Sequence, residues 1–228
     1  MIQAIRHKVG AVAAAWSLRP APSKRMIGRA AATLAFLACL CGYCKADGLA
    51  PDRLVEQVLS DVLAAIEHTQ KTGKPREEAL AIARKKILPL IDFEKMTRFA
   101  MGRAWRNASP EQRRLMVAEF STLITRTYSF AIDAYQGQQA VVEPLQFGPA
   151  DNDVTVRTRF EISGAQPVRV NYAMWQSPDG WKVYDIAVEN VSVVLTYRSQ
   201  FNEEVQRSGI DGLLSMLAKK NHQATPPR

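Results

Sequence analysis

The stretch DVTVRTRFEISGAQPVRVNYAMWQS, residues 153–177, decides the fold. It contains two series in which apolar and polar side chains alternate with a period of two. Successive side chains of a β-strand point to opposite faces of the sheet, so this period predicts two strands with one apolar and one wet face. The apolar positions are Val154, Val156, Phe160, Val168, Val170, Tyr172 and Met174.

Neighbouring segments extend the predicted sheet. Ser177-Pro178-Asp179-Gly180 has the composition of a hairpin turn and leads into a third strand over 181–188. A fourth strand is predicted over Val141–Phe147. The sequence therefore predicts four antiparallel strands connected as a meander.

Helical periodicity precedes the strands. Val55, Leu59, Val62 and Ile66 recur on one helical face, and this helix is predicted to end near Gly73. Pro75 is expected to begin a second helix that runs through Ile87, and Asp92 is expected to cap a third.

A longer helix begins at Ser109, with Pro110 at its first position and Gln112 closing a capping box, and is predicted to reach about Tyr135. Its predicted buried residues are Met116, Phe120, Leu123, Thr127, Ala131 and Ala134.

Two further helices are predicted after the strands, the first ending at Ser208-Gly209. We therefore expect an α+β domain over residues 47–220 with a disordered tail over 221–228. The N-terminal helices and the two C-terminal helices should pack on one face of a twisted four-stranded antiparallel sheet, with an apolar cavity between the layers.

Residues 1–46 have the composition of a secretory leader. They hold seven of the 30 basic residues and no acidic residue, so the other 23 basic residues nearly balance the 22 acidic ones. The charge of +8 is thus concentrated outside the predicted domain and does not argue for nucleic-acid binding.

The leader also has the order of parts that a signal peptide needs. Lys24, Arg25 and Arg29 precede the apolar run 30–44, which is shorter than the ~20 residues that span a membrane. Ala46 supplies a small residue for cleavage, and Met26 is a candidate true start of translation. An uncleaved anchor and a lipoprotein are the alternatives to a cleaved signal.

Few residues of the predicted domain carry recognisable chemistry. All three cysteines lie in the leader, and neither His68 nor His222 has neighbours at metal-ligand spacing, so we expect no metal and no cofactor. Asp92, Asp133 and Asp185 are acid–base candidates, but a helix cap, a solvated helix residue and an arginine partner are the simpler interpretations.

Three arginines share the polar face of the predicted sheet. Arg157, Arg159 and Arg169 could form a nucleic-acid strip, yet Trp175 is the only aromatic residue available there for base stacking. We expect instead a solvated face whose arginines pair with acidic neighbours.

The apolar faces are rich in bulky and adaptable residues, which favours a pocket over a solid core. A resemblance supports this interpretation. The segments 88–120 and 184–217 resemble the MlaC family, the phospholipid-binding components of the Mla ABC transport system. The matching marks are Asp92-Phe93, Gly102–Arg106, Ser109–Arg113, Tyr184-Asp185, Val191-Ser192 and Gly209–Leu213.

One position departs from the family pattern. Asn190 precedes Val191-Ser192 where the family commonly has glycine. Because asparagine tolerates left-handed backbone geometry, we expect the turn to be kept.

The resemblance implies a non-enzymatic periplasmic phospholipid carrier that maintains the lipid asymmetry of the outer membrane. Its implied partners are the substrate-binding ring subunit of an inner-membrane ABC transporter and an outer-membrane lipoprotein complex, and nucleic acid is not expected. The residues expected to contact lipid are Phe93, Met96, Phe99, Trp105, Phe120, Leu123, Val154, Val156, Phe160, Val170, Tyr172, Met174, Val183, Val191, Val194 and Tyr197.

Two alternatives remain open at this point. The first is a small enzyme with a cavity that uses Asp92 or Asp185 for proton abstraction. The second is an adapter that docks membrane proteins without carrying lipid.

The composition of the leader generates a prediction about processing. The mature chain should begin close to Asp47, because the charge asymmetry and every cysteine lie before it. The intact mass of protein from a periplasmic extract measures this, and a mass that includes residues 30–46 would contradict it.

Overall fold

The computed structural model describes residues 48–128, 135, 137–148 and 150–223. Its sheet has five antiparallel strands in chain order, one more than predicted. The strands are β1 (Gln139–Val142), β2 (Asp153–Glu161), β3 (Val168–Ser177), β4 (Gly180–Val188) and β5 (Val191–Ser192).

The strand predictions are confirmed for β2, β3 and β4, whereas the bounds of the first strand were wrong. The ladder continues to Glu143, whose N–H donates to the carbonyl of Arg157 at 2.9 Å. Pro144 follows and has no N–H to donate, so the pairing stops there instead of reaching Phe147. β5 was missed because two residues are too few to show a period.

A β-bulge interrupts β4. Ala173 of β3 pairs with Asp185, and the next residue, Met174, pairs with Val183, so Tyr184 is the extra residue. The insertion reverses the alternation along β4: Val183 and Ile186 lie on the apolar face, while Tyr184 and Asp185 are both directed elsewhere.

The β4–β5 connection is a two-residue turn in which both residues have positive φ, 49° at Glu189 and 67° at Asn190. This geometry is the one that suits a tight hairpin. The expectation that asparagine would keep the turn is confirmed. Glu189 is held in place because its carboxylate accepts a hydrogen bond from the backbone N–H of Arg169 at 2.7 Å.

The first two helices are α1 (Pro51–Thr72) and α2 (Arg76–Ile87), as predicted. Gly73 ends α1 in the left-handed conformation. Val55 of α1 packs against the apolar face of the sheet, while Val62 and Ile66 pack against α2.

Three helices follow, α3 (Phe93–Met101), the short α4 (Ala104–Asn107) and α5 (Pro110–Tyr128). The predicted cap of α3 is confirmed, because the Asp92 carboxylate accepts from the Lys95 N–H at 2.8 Å. The capping box of α5 is confirmed as well, with reciprocal Ser109–Gln112 bonds of 2.9 and 3.1 Å. The predicted continuation of α5 over 129–134 lies outside the described residues.

The last helix, α6 (Val193–Gln223), is divided at Gly209, whose φ of 71° and ψ of −174° are not helical. The predicted division into two helices is therefore confirmed. Its second half is fastened to the start of α5 by the side chains of Gln112 and Asp211, which are 2.7 Å apart.

The described part of the chain has three buried apolar clusters, a small one between α1 and α2 and two others, the helical core and the sheet core. The helical core lies among α3, α4, α5 and α6, and its fully buried residues are Met96, Ala100, Met101, Met116, Phe120, Leu213 and Leu217. The sheet core lies between the sheet and α1 around Val156 and Met174. Ile186 packs against both the helical core and the sheet core and joins them.

Residues 221–223, predicted to begin the disordered tail, are instead the end of α6, and Asn221 is buried. The other expectations about the termini fall outside the structural description. The leader, residues 1–46, is not part of the described chain, and neither are residues 224–228 of the tail. Among the helices of the described ranges, none is long and apolar enough to span a membrane.

The environment of Asp185 generates a prediction about stability. Its carboxylate accepts from the backbone N–H groups of Ile186 and Val194 at 2.8 and 3.0 Å and from the Ser192 hydroxyl at 2.5 Å. Replacing Asp185 with alanine removes this acceptor from the Val194 N–H and the Ser192 hydroxyl at the start of α6 and from the Ile186 N–H of β4. We expect it to lower the free energy of unfolding by about 2 kcal/mol.

Urea denaturation measures this loss. The matched control is Glu203→Ala, which removes an exposed carboxylate from the surface of α6 and should change the free energy of unfolding by less than about 0.5 kcal/mol. Equal effects of the two substitutions would show that Asp185 does not hold the start of this helix.

Candidate functional site

The apolar face of the sheet is the candidate site, and α1 covers one end of it. At this covered end Val154, Val156, Tyr172, Met174 and Val183 form a single cluster with α1. The contributions of α1 are Leu54, Val55 and Leu59. Val156 and Met174 are completely buried, so this end is packed as a core.

The same face continues beyond α1 into what we call the open end, made of Phe160, Val168, Val170, Val188 and Val191. The strand register aligns these residues: Phe160 pairs with Val168, and Val170 pairs with Val188, which in turn pairs with Val191. All five are half-buried. Within the described part of the chain they belong to neither core cluster.

A pair of hydroxyl groups marks the boundary between the two ends. Thr158 is 1% exposed and its hydroxyl donates to the carbonyl of Val170 at 2.8 Å. Burial raises the pKa of Tyr172 to about 12, and a hydrogen bond with Thr158 partly offsets the effect. Tyr172 is therefore neutral at physiological pH, and the apolar face carries no charge there.

Most of the helical residues predicted to line the site lie instead in the helical core. Phe120 contacts Tyr197 and Phe201 with ring centroids 5.0 and 5.1 Å apart. These residues pack in the helical core and not in the sheet core, and Ile186 is the apolar sheet residue that packs against both clusters. Their assignment as lipid contacts stays a prediction. The predicted residues found in the helical core are Phe93, Met96, Trp105, Phe120, Leu123, Val194 and Tyr197.

Phe99 was assigned wrongly to the apolar face. Its side chain is 38% exposed and its ring lies 5.4 Å from that of Tyr184. The bulge directs Tyr184 away from the apolar face, so Phe99 lies on the opposite side of the sheet.

Sequence reasoning also missed members of the site. Val168 and Val188 lie at the open end although they were not among the predicted contact residues, and Ile186 lies beside them on β4. The period-two pattern could have found Val168. It could not have found Ile186 and Val188, because the bulge reverses the pattern along β4.

The two described acid–base candidates have structural roles. Asp92 caps α3 and also accepts a hydrogen bond from the indole of Trp175 at 2.9 Å. Asp185 holds the start of α6. Asp133 lies outside the described residues. The described part of the chain contains no group of three His, Cys, Asp or Glu side chains placed to hold a metal ion.

The part of the polar face that carries Arg157, Arg159 and Arg169 is exposed to solvent, as expected. Arg169 and Glu189 form an ion pair of 3.2 Å, and Arg159 lies 3.8 Å from Glu161.

A surface groove of about 270 Å³ lies between α5 and the second half of α6, away from the candidate site. Its lining includes Leu115, Glu119, Asp211 and Leu214.

Two known proteins are similar to this chain in sequence. The chain is 24% identical to the "Intermembrane phospholipid transport system binding protein MlaC" of Haemophilus influenzae over 76% of this chain and 83% of that protein. It is also 24% identical to the "Toluene tolerance protein ttg2D" of Pseudomonas putida over 76% of this chain and 84% of that protein.

A solved structure is similar over almost its whole length. The phospholipid-binding protein of Ralstonia solanacearum, solved in complex with a phospholipid, is 34% identical and superimposes with a TM-score of 0.68. The similarity covers 75% of this chain and 97% of that one. The family model described as "MlaC protein" matches residues 56–219, so this chain belongs to the MlaC protein family.

Proposed function

We propose that this protein is a periplasmic phospholipid carrier that holds acyl chains against the open end of its apolar sheet face. The observation that carries the proposal is the row Val170–Val188–Val191 with the neighbouring pair Phe160–Val168. These five apolar side chains share one face, stay half-buried and lie beyond the part that α1 covers.

The energetics suit transport without catalysis. Each buried methylene contributes about 0.8 kcal/mol, so water opposes the escape of a ~16-carbon chain from a bilayer by roughly 13 kcal/mol. An apolar site returns most of this free energy, which makes transfer between membrane and carrier nearly balanced. Such a protein needs no catalytic residue, and Asp92 and Asp185 are already engaged in helix caps.

The similar proteins support the same assignment. One is named as the binding protein of an intermembrane phospholipid transport system, and another was solved with a phospholipid bound. By analogy, the partners of this chain are an inner-membrane ABC transporter with its substrate-binding ring subunit and an outer-membrane lipoprotein complex. Phospholipid transport between these two complexes maintains the lipid asymmetry of the outer membrane.

The assignment of the open end generates a test with one charged substitution. Val170→Glu places a carboxylate where the acyl chains are expected, and burying it against them without a partner costs several kcal/mol. Because Val170 is half-buried, water can hydrate the new charge once the lipid is absent. We expect the variant to fold but to lose co-purified phospholipid, as measured by native mass spectrometry and thermal denaturation.

Two matched variants complete the test. Thr155→Glu adds the same charge on the exposed face of β2 and should keep both fold and lipid. Val156→Glu adds it at a residue that is 0% exposed and should prevent folding. Lipid retained by folded Val170→Glu would place the chains elsewhere. A wild-type protein purified from the periplasm without lipid would favour an adapter over a carrier.

A further inference from the structure

An ammonium group enclosed by aromatic rings lies on the face of the sheet opposite the apolar one. Lys95 of α3 places its Nζ atom 4.0 Å from the ring centroid of Trp175, 4.5 Å from that of Tyr184 and 6.0 Å from that of Phe99. We call Lys95, Phe99, Trp175, Tyr184 and the nearby Asp153 the Lys95 box.

The ammonium group of Lys95 interacts with the rings and with one nearby carboxylate. The side chain of Lys95 is only 13% exposed, and the carboxylate of Asp153 is 3.8 Å away, beyond hydrogen-bond distance. Burial lowers the pKa of Lys95, while Asp153 acts in the opposite direction. Attraction of a desolvated ammonium to an aromatic face offsets part of this burial cost.

Hydrogen bonds fix the walls of the box. The indole N–H of Trp175 donates to Asp92 at 2.9 Å, and the Tyr184 hydroxyl donates to Asp153 at 2.7 Å. The side chains around Lys95 are therefore positioned by partners of their own.

The box joins the helical core to the polar face of the sheet, on the side away from the candidate lipid site. Lys95 belongs to α3, whose Met96 is fully buried in the helical core. Asp153, Trp175 and Tyr184 come from β2, β3 and β4. On the apolar side, the link between the two cores is Ile186, which is half-buried.

We propose that the Lys95 box is a latch that holds the helical core to the sheet and thereby sets how fast bound lipid is released. This inference rests on the proposed function. The open end borders the helical core, because Val188 lies two residues from Ile186 and Val191-Ser192 leads directly into α6. Separation of the helical core from the sheet therefore loosens this border of the site and eases the release of an acyl chain. The box resists that separation through contacts that involve no lipid, so weakening it accelerates release without removing the binding face.

The test compares release rates from purified, lipid-loaded protein. Lys95→Met keeps most of the side-chain volume and removes the charge. Transfer of a fluorescent phosphatidylethanolamine to vesicles of phosphatidylethanolamine and phosphatidylglycerol should become about fivefold faster, the scale expected for one cation–π contact. Lys86→Met is the matched control, because it removes a lysine charge from an exposed ion pair with Asp61 and should leave the rate unchanged.

A second variant tests the same contacts independently, in case Lys95→Met does not fold. Trp175→Phe keeps an aromatic wall but removes the bond to Asp92, and it should also accelerate release. Amide hydrogen exchange in α3 should increase in both variants while α2 stays protected, which a general loss of stability would not produce.

The outcomes separate the latch from the carrier function. Loaded, folded variants of Lys95 and Trp175 that release lipid at the wild-type rate would overturn the latch and leave the carrier intact. A wild-type protein that cannot be loaded with phospholipid would overturn both proposals.

Discussion

The bulge in β4 is the constraint on which the arrangement of helices depends. One residue more on β4 than on β3 places Tyr184 and Asp185 consecutively off the apolar face. Tyr184 then contacts Lys95 and Phe99 of α3, and Asp185 caps α6. Two neighbouring residues of one strand thus attach two different helices of the helical core, while Val183 and Ile186 keep the apolar face continuous on either side of them.

The contrast between regular strands and this irregular strand explains how much of the structure could be predicted from the sequence. Regular patterns were sufficient where geometry is regular: the alternation in β2 and β3, the cap at Asp92 and the helix break at Gly209. The bulge has no such pattern, because counting every second residue from Val183 selects Asp185 for the apolar face, whereas the structure selects Ile186. Phe99 was misassigned because helical periodicity shows which residues share a face but not what that face meets.

The residues that match the family pattern have structural roles in the helical part of the fold. Arg113 donates to the carbonyl of Trp105 at 2.9 Å, and Gln112 bonds to Asp211, so three of the matching segments meet around the start of α5. Gly102 has a φ of 57°, and a Cβ there would approach Arg198 to 3.1 Å. Few residue types satisfy backbone and capping constraints of this kind. An acyl chain can pack against many different apolar side chains, so the residues that contact it are less restricted in type. The sequence could therefore indicate the family more sharply than the lipid-contacting residues.

The central claim is that acyl chains lie on the open end of the sheet, and NMR of a loaded complex tests it most directly. With deuterated protein, protonated Leu and Val methyl groups and a phospholipid with protonated chains, the account predicts nuclear Overhauser effects from acyl methylenes to Val168, Val170 and Val188. The methyl groups of Val62 beneath α2 should show none. Effects confined to Leu115 and Leu214, in the groove between α5 and α6, would contradict the account.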